Sequence, residues 1–340
     1  MSTEGSVVGE RYRLDQPIGR GRAGIVWLAL DLRLHRTVAM KRLLIPSGLT
    51  PEQAAQAREQ AFLEGRNAAK IEHKCAITVH DVFHEDEDVW IVMEYIPSRS
   101  MAQFLAEHGR LTPEQAAGLG IQLGSTLATL HAANIIHRTL EPGTVLLADD
   151  GGVKLTDIGI TGGGPTPAYR SPEVARGLPA TPASDVFSLG ATLYTAVEGV
   201  PPFGENGQGG PPSIDNAGSL SGALGKMLRQ DPVTRPTMND TVRALNAISH
   251  GDTKTAFVPP TAPAMPTMPV APATPPPGTA VPAPTAIQHP GTPHQAFQQR
   301  PAAPPQPPKP ASAKPKWLIP AVAVVVAILV GVLIVELFFV

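Results

Sequence analysis

Short runs of apolar and β-branched residues predict a small sheet in the first third of the chain. The segments IVWLAL (25–30) and TVAMKRL (37–43) predict strands, and VWIVMEYI (89–96) predicts a buried strand. Between them, residues 51–71 are rich in Ala, Glu, Gln and Arg and predict a helix. A Pro-Ser turn then precedes another predicted helix from Met101. This order favours an α+β lobe followed by a helical lobe.

Three zones of different composition divide the 340 residues. Residues 1–252 mix apolar periodicity with ordinary turns and are long enough to bury a core, in one domain or two lobes. Residues 253–316 repeat Pro, Ala and Thr and lack the apolar side chains that would offset ordering entropy. We interpret them as a disordered linker. A plain tether is the simpler reading, and PAAPPQPPKP (301–310) alternatively suggests a docking strip for Pro-binding modules.

An uncharged apolar run at residues 318–335 predicts a membrane span. As a helix it would measure roughly 27 Å, close to the ~30 Å hydrocarbon core of a bilayer. We therefore expect residues 317–340 to form a C-terminal transmembrane helix rather than a buried core helix. Basic residues on its N-terminal side place the preceding domain in the cytoplasm, at the cell membrane. They are Lys309, Lys314 and Lys316.

Charge and cysteine content exclude several functional classes. Without the five basic residues and one acid of the last 88 residues, residues 1–252 carry 22 Lys and Arg against 28 Asp and Glu, a net charge of −6. A general nucleic-acid partner is not expected, because it requires a basic face. The one cysteine, Cys75, excludes an internal disulfide and a Cys-based zinc site, and it suits a reducing compartment.

A glycine pattern points to nucleotide chemistry. It consists of Gly19, Gly21, Gly24 and Val26. A predicted strand follows at once, so the glycines lie in a hairpin turn and not before a helix, as a dinucleotide-binding fold requires. Without a Cβ atom, the backbone N–H groups of such a turn can approach phosphates closely. Lys41 on the next strand could reach those phosphates, and Glu64 in the following helix could pair with Lys41.

These residues open an ordered series that resembles the eukaryotic-like Ser/Thr protein kinases of bacteria. The resemblance covers roughly residues 10–249. It implies a two-lobed protein-kinase-like fold, with a β-rich N-lobe of about 10–95 and a helical C-lobe of about 98–249. After the glycine-rich loop, the series continues through Val38-Ala39-Met40-Lys41, Glu64, Met93-Glu94-Tyr95, His137-Arg138, Asp157-Ile158-Gly159, Ser171-Pro172-Glu173, Asp185 and Arg235.

The resemblance also implies roles for individual residues. Asp157 would hold Mg²⁺ or Mn²⁺ bound with ATP. His137 and Arg138 would belong to the catalytic-loop scaffold, which Asp185 braces. Arg235 would pair with Glu173. The implied ATP-binding residues are Ile18, Gly19, Gly21, Gly24, Val26, Ala39, Lys41, Glu64, Glu94 and Tyr95.

The same loop departs from the family pattern at its chemical positions. Thr139 stands where the family has its catalytic aspartate, and loss of a general base typically costs ~10²–10⁴ in rate. Glu141 reverses the charge of the lysine that neutralises the transferred phosphoryl group. Thr144 replaces the asparagine that holds a second metal ion. Thr166 matches a threonine that hydrogen-bonds the absent Asp and Lys. Glycine and proline at 204–212 further predict a lost or shortened helix in a region that docks substrates in the family.

The sequence therefore predicts a membrane-anchored pseudokinase that binds ATP but lacks efficient phosphoryl transfer. One alternative is a weakly active Ser/Thr kinase that uses Glu141 as its base or relies on substrate-assisted catalysis. A second is an interaction scaffold that needs no nucleotide. Expected partners are other signalling or membrane proteins, including active kinases and phosphothreonine- or Pro-binding modules.

Overall fold

The computed structural model describes residues 3–21, 24–160, 166–210 and 212–249. All of them belong to the first of two structural units, residues 1–269. The predicted linker at 253–316 and the predicted transmembrane helix at 317–340 lie outside the described residues. Among the residues that are described, no helix is both long and apolar enough to cross a membrane.

The first lobe is a six-stranded antiparallel sheet in the order β1-β2-β3-β4-β6-β5. Its strands are β1 (Val7–Val8), β2 (Tyr12–Gly21), β3 (Gly24–Asp31), β4 (Arg36–Leu43), β5 (Val79–Glu85) and β6 (Asp88–Glu94). The three strands expected from apolar runs are β3, β4 and β6. In β6, five consecutive residues from Val89 to Met93 are buried, as a run without polar alternation indicates.

One long helix, α1 (Pro51–Ala68), packs against β5 and β6. Its start follows from local chemistry, because the Thr50 hydroxyl accepts the Gln53 N–H while the Gln53 side chain accepts the Thr50 N–H. The helix ends three residues before the predicted limit. Residues 69–71 instead form tight turns, and Ile71 enters the core of the second lobe.

The second lobe is mainly helical and is built around one helix that is buried over most of its length. Its helices are α2 (Met101–His108), α3 (Pro113–Ala132), α4 (Pro172–Ala175), α5 (Pro182–Glu198), α6 (Ser221–Met227) and α7 (Met238–Ser249). A three-stranded sheet of β7 (Ser98–Ser100), β8 (Val145–Ala148) and β9 (Val153–Leu155) adjoins them. Every residue of α5 from Ser184 to Val197 is buried, so this helix is the core on which the other elements pack.

A buried ion pair connects α4 to the segment before α7. The two terminal nitrogens of Arg235 donate to the two carboxylate oxygens of Glu173, at 2.7 and 2.8 Å. Ser184 of α5 donates to the same carboxylate at 2.8 Å. Burial alone would raise the pKa of Glu173, but the hydrogen bonds from Arg235 and Ser184 outweigh it and lower this pKa to about 2. The carboxylate therefore stabilises the fold in its charged form.

Replacing Arg235 with methionine should lower the free energy of unfolding by about 3–5 kcal/mol, because Glu173 is left buried without its cation. Urea unfolding near neutral pH measures this change. In the unsubstituted protein, the contribution of Glu173 is complete above its ordinary pKa of 4.5 and is lost as pH falls towards about 2. In Arg235→Met the deficit should shrink below about pH 4.5, where the carboxyl group is protonated in both folded and unfolded chains.

The matched control is Arg243→Met. Arg243 also pairs with a carboxylate, Asp240, but its side chain is 63% exposed. Exposed pairs contribute about 0–1 kcal/mol, so this variant should unfold almost as the parent does. An equal loss of stability in the two variants would contradict the special role of the buried pair.

Candidate functional site

The glycine hairpin joins β2 to β3 beside the central strand β4. Gly21 pairs with Gly24 and Gly19 pairs with Val26 across the hairpin. A Cβ atom at Gly24 would lie 2.1 Å from the carbonyl oxygen of Arg42, so no side chain fits on this side. A Cβ atom at Gly21 would meet none of the described residues within 4 Å. Gly24 is thus packed tightly on the sheet, whereas Gly21 is exposed.

An apolar cluster adjoins this hairpin. Ala39 and Met93 are buried in it, with Val26 packed against them. The same cluster contains Ile160 and Leu146, which sequence reasoning did not select. Their signal was present, since one follows the Asp157-Ile158-Gly159 motif directly and the other belongs to the apolar strand after the catalytic loop. Two further predicted residues are partly exposed, Ile18 at 44% and Tyr95 at 37%.

The ion pairs at the centre of the site differ from the predicted pairing of Lys41 with Glu64. Lys41 is buried on β4, and its Nζ atom lies 2.6 Å from Oδ1 of Asp157. Glu64 is buried on α1 and accepts a hydrogen bond from Arg138 at 3.2 Å. Arg138 also donates to the carbonyl oxygen of Gly159 at 3.0 Å. The expectation of a Lys41–Glu64 pair was therefore wrong for this conformation, because each group has a nearer partner of opposite charge.

The side chain of Glu94, at the end of β6, is hydrogen-bonded to other residues of the protein. Its carboxylate accepts the Thr78 N–H and the Lys154 ammonium group, both at 2.7 Å. Burial acts to raise the pKa of Glu94, but these hydrogen bonds outweigh it and the net pKa is lowered. The Glu94 N–H donates to the Thr78 carbonyl at 2.9 Å. The Glu94 carboxylate therefore holds the end of β6 in place. A ligand at this position could bind only to backbone groups other than the Glu94 N–H.

Asp185 of α5 holds the backbone of the loop that follows α3. One carboxylate oxygen accepts the His137 N–H at 2.9 Å and the His131 ring at 2.8 Å, and the other accepts the Arg138 N–H at 3.0 Å. Arg138 has a left-handed backbone with φ of 73°, which is strained for a residue with a side chain. The two adjacent N–H bonds to one buried carboxylate stabilise that conformation.

His137 supports the loop as a neutral ring. It is fully buried, and burial lowers its pKa. Its Nε2 atom lies 2.8 Å from the Thr156 carbonyl oxygen, to which it donates, and its Nδ1 atom accepts the Thr139 N–H at 3.3 Å. One ring nitrogen is therefore a donor and the other an acceptor, as a neutral imidazole requires. This histidine orients the loop and has no free nitrogen for proton transfer.

Three loop residues occupy the positions at which the family has its catalytic and metal-binding groups, and each is either buried or hydrogen-bonded within the protein. They are Thr139, Glu141 and Thr144. Thr139 is 6% exposed, and its hydroxyl has no hydrogen-bond partner among the described residues. The Thr144 hydroxyl donates towards the carbonyl oxygens of Thr139 and Glu141, at 3.3 and 3.0 Å, and accepts the Glu141 N–H. The Glu141 carboxylate accepts both the N–H and the hydroxyl of Thr166, at 3.0 and 2.9 Å.

The contact between Glu141 and Thr166 was missed by sequence reasoning, which noted only that the family partners of Thr166 are absent. A carboxylate in place of the family lysine can still hold this threonine, because a hydroxyl and an N–H both donate to it. Glu141 therefore still connects the loop to the segment before α4. In this chain the threonine donates the hydrogen bonds and the loop residue accepts them.

The residues around Lys41 fit a nucleotide. The open Gly21 backbone and the buried ammonium group would face phosphates, and the apolar cluster of Ala39 and Leu146 would receive a flat base. A divalent cation would be held by Asp157 together with phosphate oxygens. Within the described ranges, no group of three His, Cys, Asp or Glu side chains could hold a metal ion unaided. Thr144 is a poor second ligand, since its hydroxyl is already hydrogen-bonded.

Comparison with known proteins decides the family. Residues 12–245 match the family model described as the protein kinase domain. The chain belongs to the protein kinase family. Its relatives are bacterial Ser/Thr kinases: it is 36% identical to PknA of Mycobacterium tuberculosis over 220 residues, which cover 60% of this chain and 50% of PknA. It is 34% identical to the probable kinase PknB of Corynebacterium glutamicum over 215 residues, covering 58% and 33%.

Solved kinase structures share the fold. A single-substitution variant of the PknI kinase domain of Mycobacterium tuberculosis is 25% identical and has a TM-score of 0.61, with 72% of this chain and 98% of that domain covered. The β-rich lobe and the helical lobe are therefore those of a protein kinase. The match spans about a third to a half of the curated relatives' length. Kinases of this family generally use ATP with Mg²⁺ or Mn²⁺.

Replacing Thr139 with valine should leave the kinase domain as stable as before, or more stable by up to about 1 kcal/mol. The reason is that a buried hydroxyl without a protein partner costs free energy, whereas a methyl group does not. The matched control is Thr144→Val in the same loop, which removes one accepted hydrogen bond and one donated bond shared between two carbonyl oxygens, and it should cost about 1–3 kcal/mol. Thermal and urea unfolding measure both. A loss at Thr139 as large as that at Thr144 would contradict this account.

Proposed function

We propose that this chain is a regulatory pseudokinase that binds ATP with a divalent cation and transfers its phosphoryl group poorly or not at all. The observation that carries the proposal is the composition of the loop held by Asp185. The loop has a fixed backbone, but it places Thr139 where a proton acceptor is needed. A threonine hydroxyl is not basic enough for that task near neutral pH. The protein would act through its conformation and its contacts.

Nucleotide binding is a separable property, supported by a different set of residues. Lys41 and Asp157 are in contact at 2.6 Å beside the glycine hairpin. An incoming Mg-ATP would offer phosphates to the ammonium group and a cation to the carboxylate, so each member of the pair would gain a partner of opposite charge. ATP would supply the γ-phosphoryl group that an active kinase transfers.

A weakly active kinase that uses Glu141 as its base is the second candidate. The geometry argues against it, because one oxygen of this carboxylate already accepts two hydrogen bonds from Thr166. Substrate-assisted transfer does not depend on Glu141, so only a direct assay separates it from the pseudokinase.

Mg-ATP at ~100 times its dissociation constant should stabilise the protein by roughly 2.7 kcal/mol. A thermal melt with and without nucleotide measures this. The shift should be strongly reduced in Lys41→Met, which removes the phosphate-facing cation, and should lose its dependence on Mg²⁺ in Asp157→Ala. Meanwhile, full-length protein incubated with γ-labelled ATP should incorporate no more label than Lys41→Met does.

Each candidate function gives a different outcome in this pair of assays. Stabilisation without labelling supports the pseudokinase. Labelling that disappears in both Lys41→Met and Glu141→Gln would support the weakly active kinase with Glu141 as its base. A melt that millimolar Mg-ATP leaves unchanged would favour the nucleotide-independent scaffold.

We also propose that the C-terminal apolar run anchors the protein in the cell membrane, with the kinase domain on the cytoplasmic side. The linker would then confine the domain near the bilayer and favour signalling partners in the same membrane, by raising their local concentration. Deleting residues 317–340 should move the protein from the membrane fraction to the supernatant on sedimentation. A truncated protein that still sediments with membranes, while its melt is unchanged, would contradict this topology.

A further inference from the structure

The second lobe is mainly helical, but much of the stretch between α5 and α6 is not. No helix occurs in the described residues from Gly199 to Ala217, in agreement with the glycines and prolines of this stretch. Three backbone bonds shape the first part of it instead. Gly204 donates to Pro201, Gly207 donates to Gly204, and Gly209 donates to Phe203 at 2.7 Å. We call residues 203–210 the glycine loop.

The glycine loop is fixed against the segment that precedes α4. Gly207 has φ of 66°, a left-handed conformation that favours glycine. A Cβ atom at this position would lie 2.3 Å from the carbonyl oxygen of Pro167, so the two backbones are in direct contact. By contrast, a Cβ atom at Gly210 would have no neighbour within 4 Å in the part of the chain that the structure describes. The loop therefore has a defined shape, and Gly207 is the residue that permits it.

A groove lies along this loop. One cavity of about 780 Å³ is lined by the loop, by the segment from Pro167 to Arg176, by Phe187 of α5 and by Gln230. A second cavity of about 520 Å³ shares Phe203, Gly207, Gln208 and Gln230 with it. We call the two cavities together the loop groove. Each is in the size range of sites that receive a ligand or several side chains.

The lining of the loop groove combines basic and polar side chains with apolar ones such as Phe187, Phe203 and Leu228. Among the described residues, none of those that border the two cavities is an aspartate or a glutamate, although the exposed Glu205 belongs to the glycine loop. Three arginines contribute to it, with three carboxamide side chains between them, and Phe203 stacks on Phe187 at 5.8 Å to form an apolar wall. The arginines are Arg170, Arg176 and Arg229, and the carboxamides are Asn206, Gln208 and Gln230.

Two of the arginines are oriented by backbone carbonyl groups. Arg176 donates through Nε to the Pro172 carbonyl at 3.2 Å, and Arg229 donates through a terminal nitrogen to the Thr234 carbonyl at 2.7 Å. Neither forms an ion pair with a carboxylate among the described residues. A guanidinium group presents several N–H donors in a fixed plane, so one bond to the protein leaves donors suited to a carboxylate.

We propose that the loop groove binds an extended acidic segment of a partner protein. The arginines would contact its carboxylates, the carboxamides would hydrogen-bond its backbone, and the wall at Phe203 would receive an apolar side chain. The chain's own residues 253–316 are a poor occupant, because they carry five basic residues and no acid. The residues that line this site differ from those of the nucleotide site, and the site borders a stretch in which the described residues form no helix.

The test uses full-length protein without nucleotide and a labelled peptide in which glutamate pairs alternate with leucine. Fluorescence anisotropy at low ionic strength measures its dissociation constant. We expect saturable binding, and binding weaker by about tenfold or more when glutamine replaces every glutamate. Arg176→Glu and Arg229→Glu should each weaken binding by about tenfold. Arg33→Glu, an identical charge change at an exposed turn of the other lobe, should have no such effect.

A second pair of variants tests the shape of the groove. Gly207→Ala should weaken peptide binding by about tenfold, because the loop must move away from Pro167, whereas Gly210→Ala should bind as the parent does. Unchanged binding in both arginine variants, or equal affinity for the glutamine peptide, would overturn the proposal. If Arg176→Glu instead abolishes self-association in sedimentation and the peptide does not bind, the occupant is a second copy of this chain and the assignment to a partner protein is wrong.

Discussion

The buried carboxylate of Asp185 is the constraint on which the geometry of the candidate site depends. It lies on α5, which is buried on all sides, and it accepts hydrogen bonds from two consecutive N–H groups of the loop after α3. A bond to His131 adds a third. These contacts hold Arg138 in a left-handed conformation, and from that position its guanidinium group reaches Glu64 of α1. One carboxylate in the helical lobe thus sets the position of a contact with the other lobe.

The loop keeps its shape although its chemical residues have changed, and the contacts show why this combination is stable. Asp185 and His137 act mainly on the loop backbone, so they do not require an aspartate at position 139. Glu141 replaces a cation but still holds Thr166, because the threonine donates to it. The scaffold of a kinase loop is therefore compatible with threonine at positions 139 and 144 and glutamate at position 141. The ion pair between Lys41 and Asp157 involves neither Thr139 nor Thr144.

Much of this arrangement could be predicted from sequence, because ordered motifs carry positions as well as chemistry. The strands β3, β4 and β6, the two lobes of the family and the missing helix all follow from local patterns. The partner of Lys41 does not. Lys41 and Asp157 are 116 residues apart, and either Glu64 or Asp157 could have paired with Lys41. Only the packing of α1 and the loop decides which carboxylate lies nearer. The bond from Thr166 to Glu141 was also missed, since the pattern named the lost partners and not a replacement.

The fate of bound ATP in a single turnover tests the central claim most directly, because it detects transfer to any acceptor, water included. Full-length protein in excess over γ-labelled ATP and Mg²⁺ is sampled over hours, and the nucleotide is separated into ATP and ADP. The account predicts that bound ATP is recovered unchanged, with ADP formed no faster than in the Asp157→Ala variant. Conversion of the bound ATP at a rate that depends on Asp157 would contradict it.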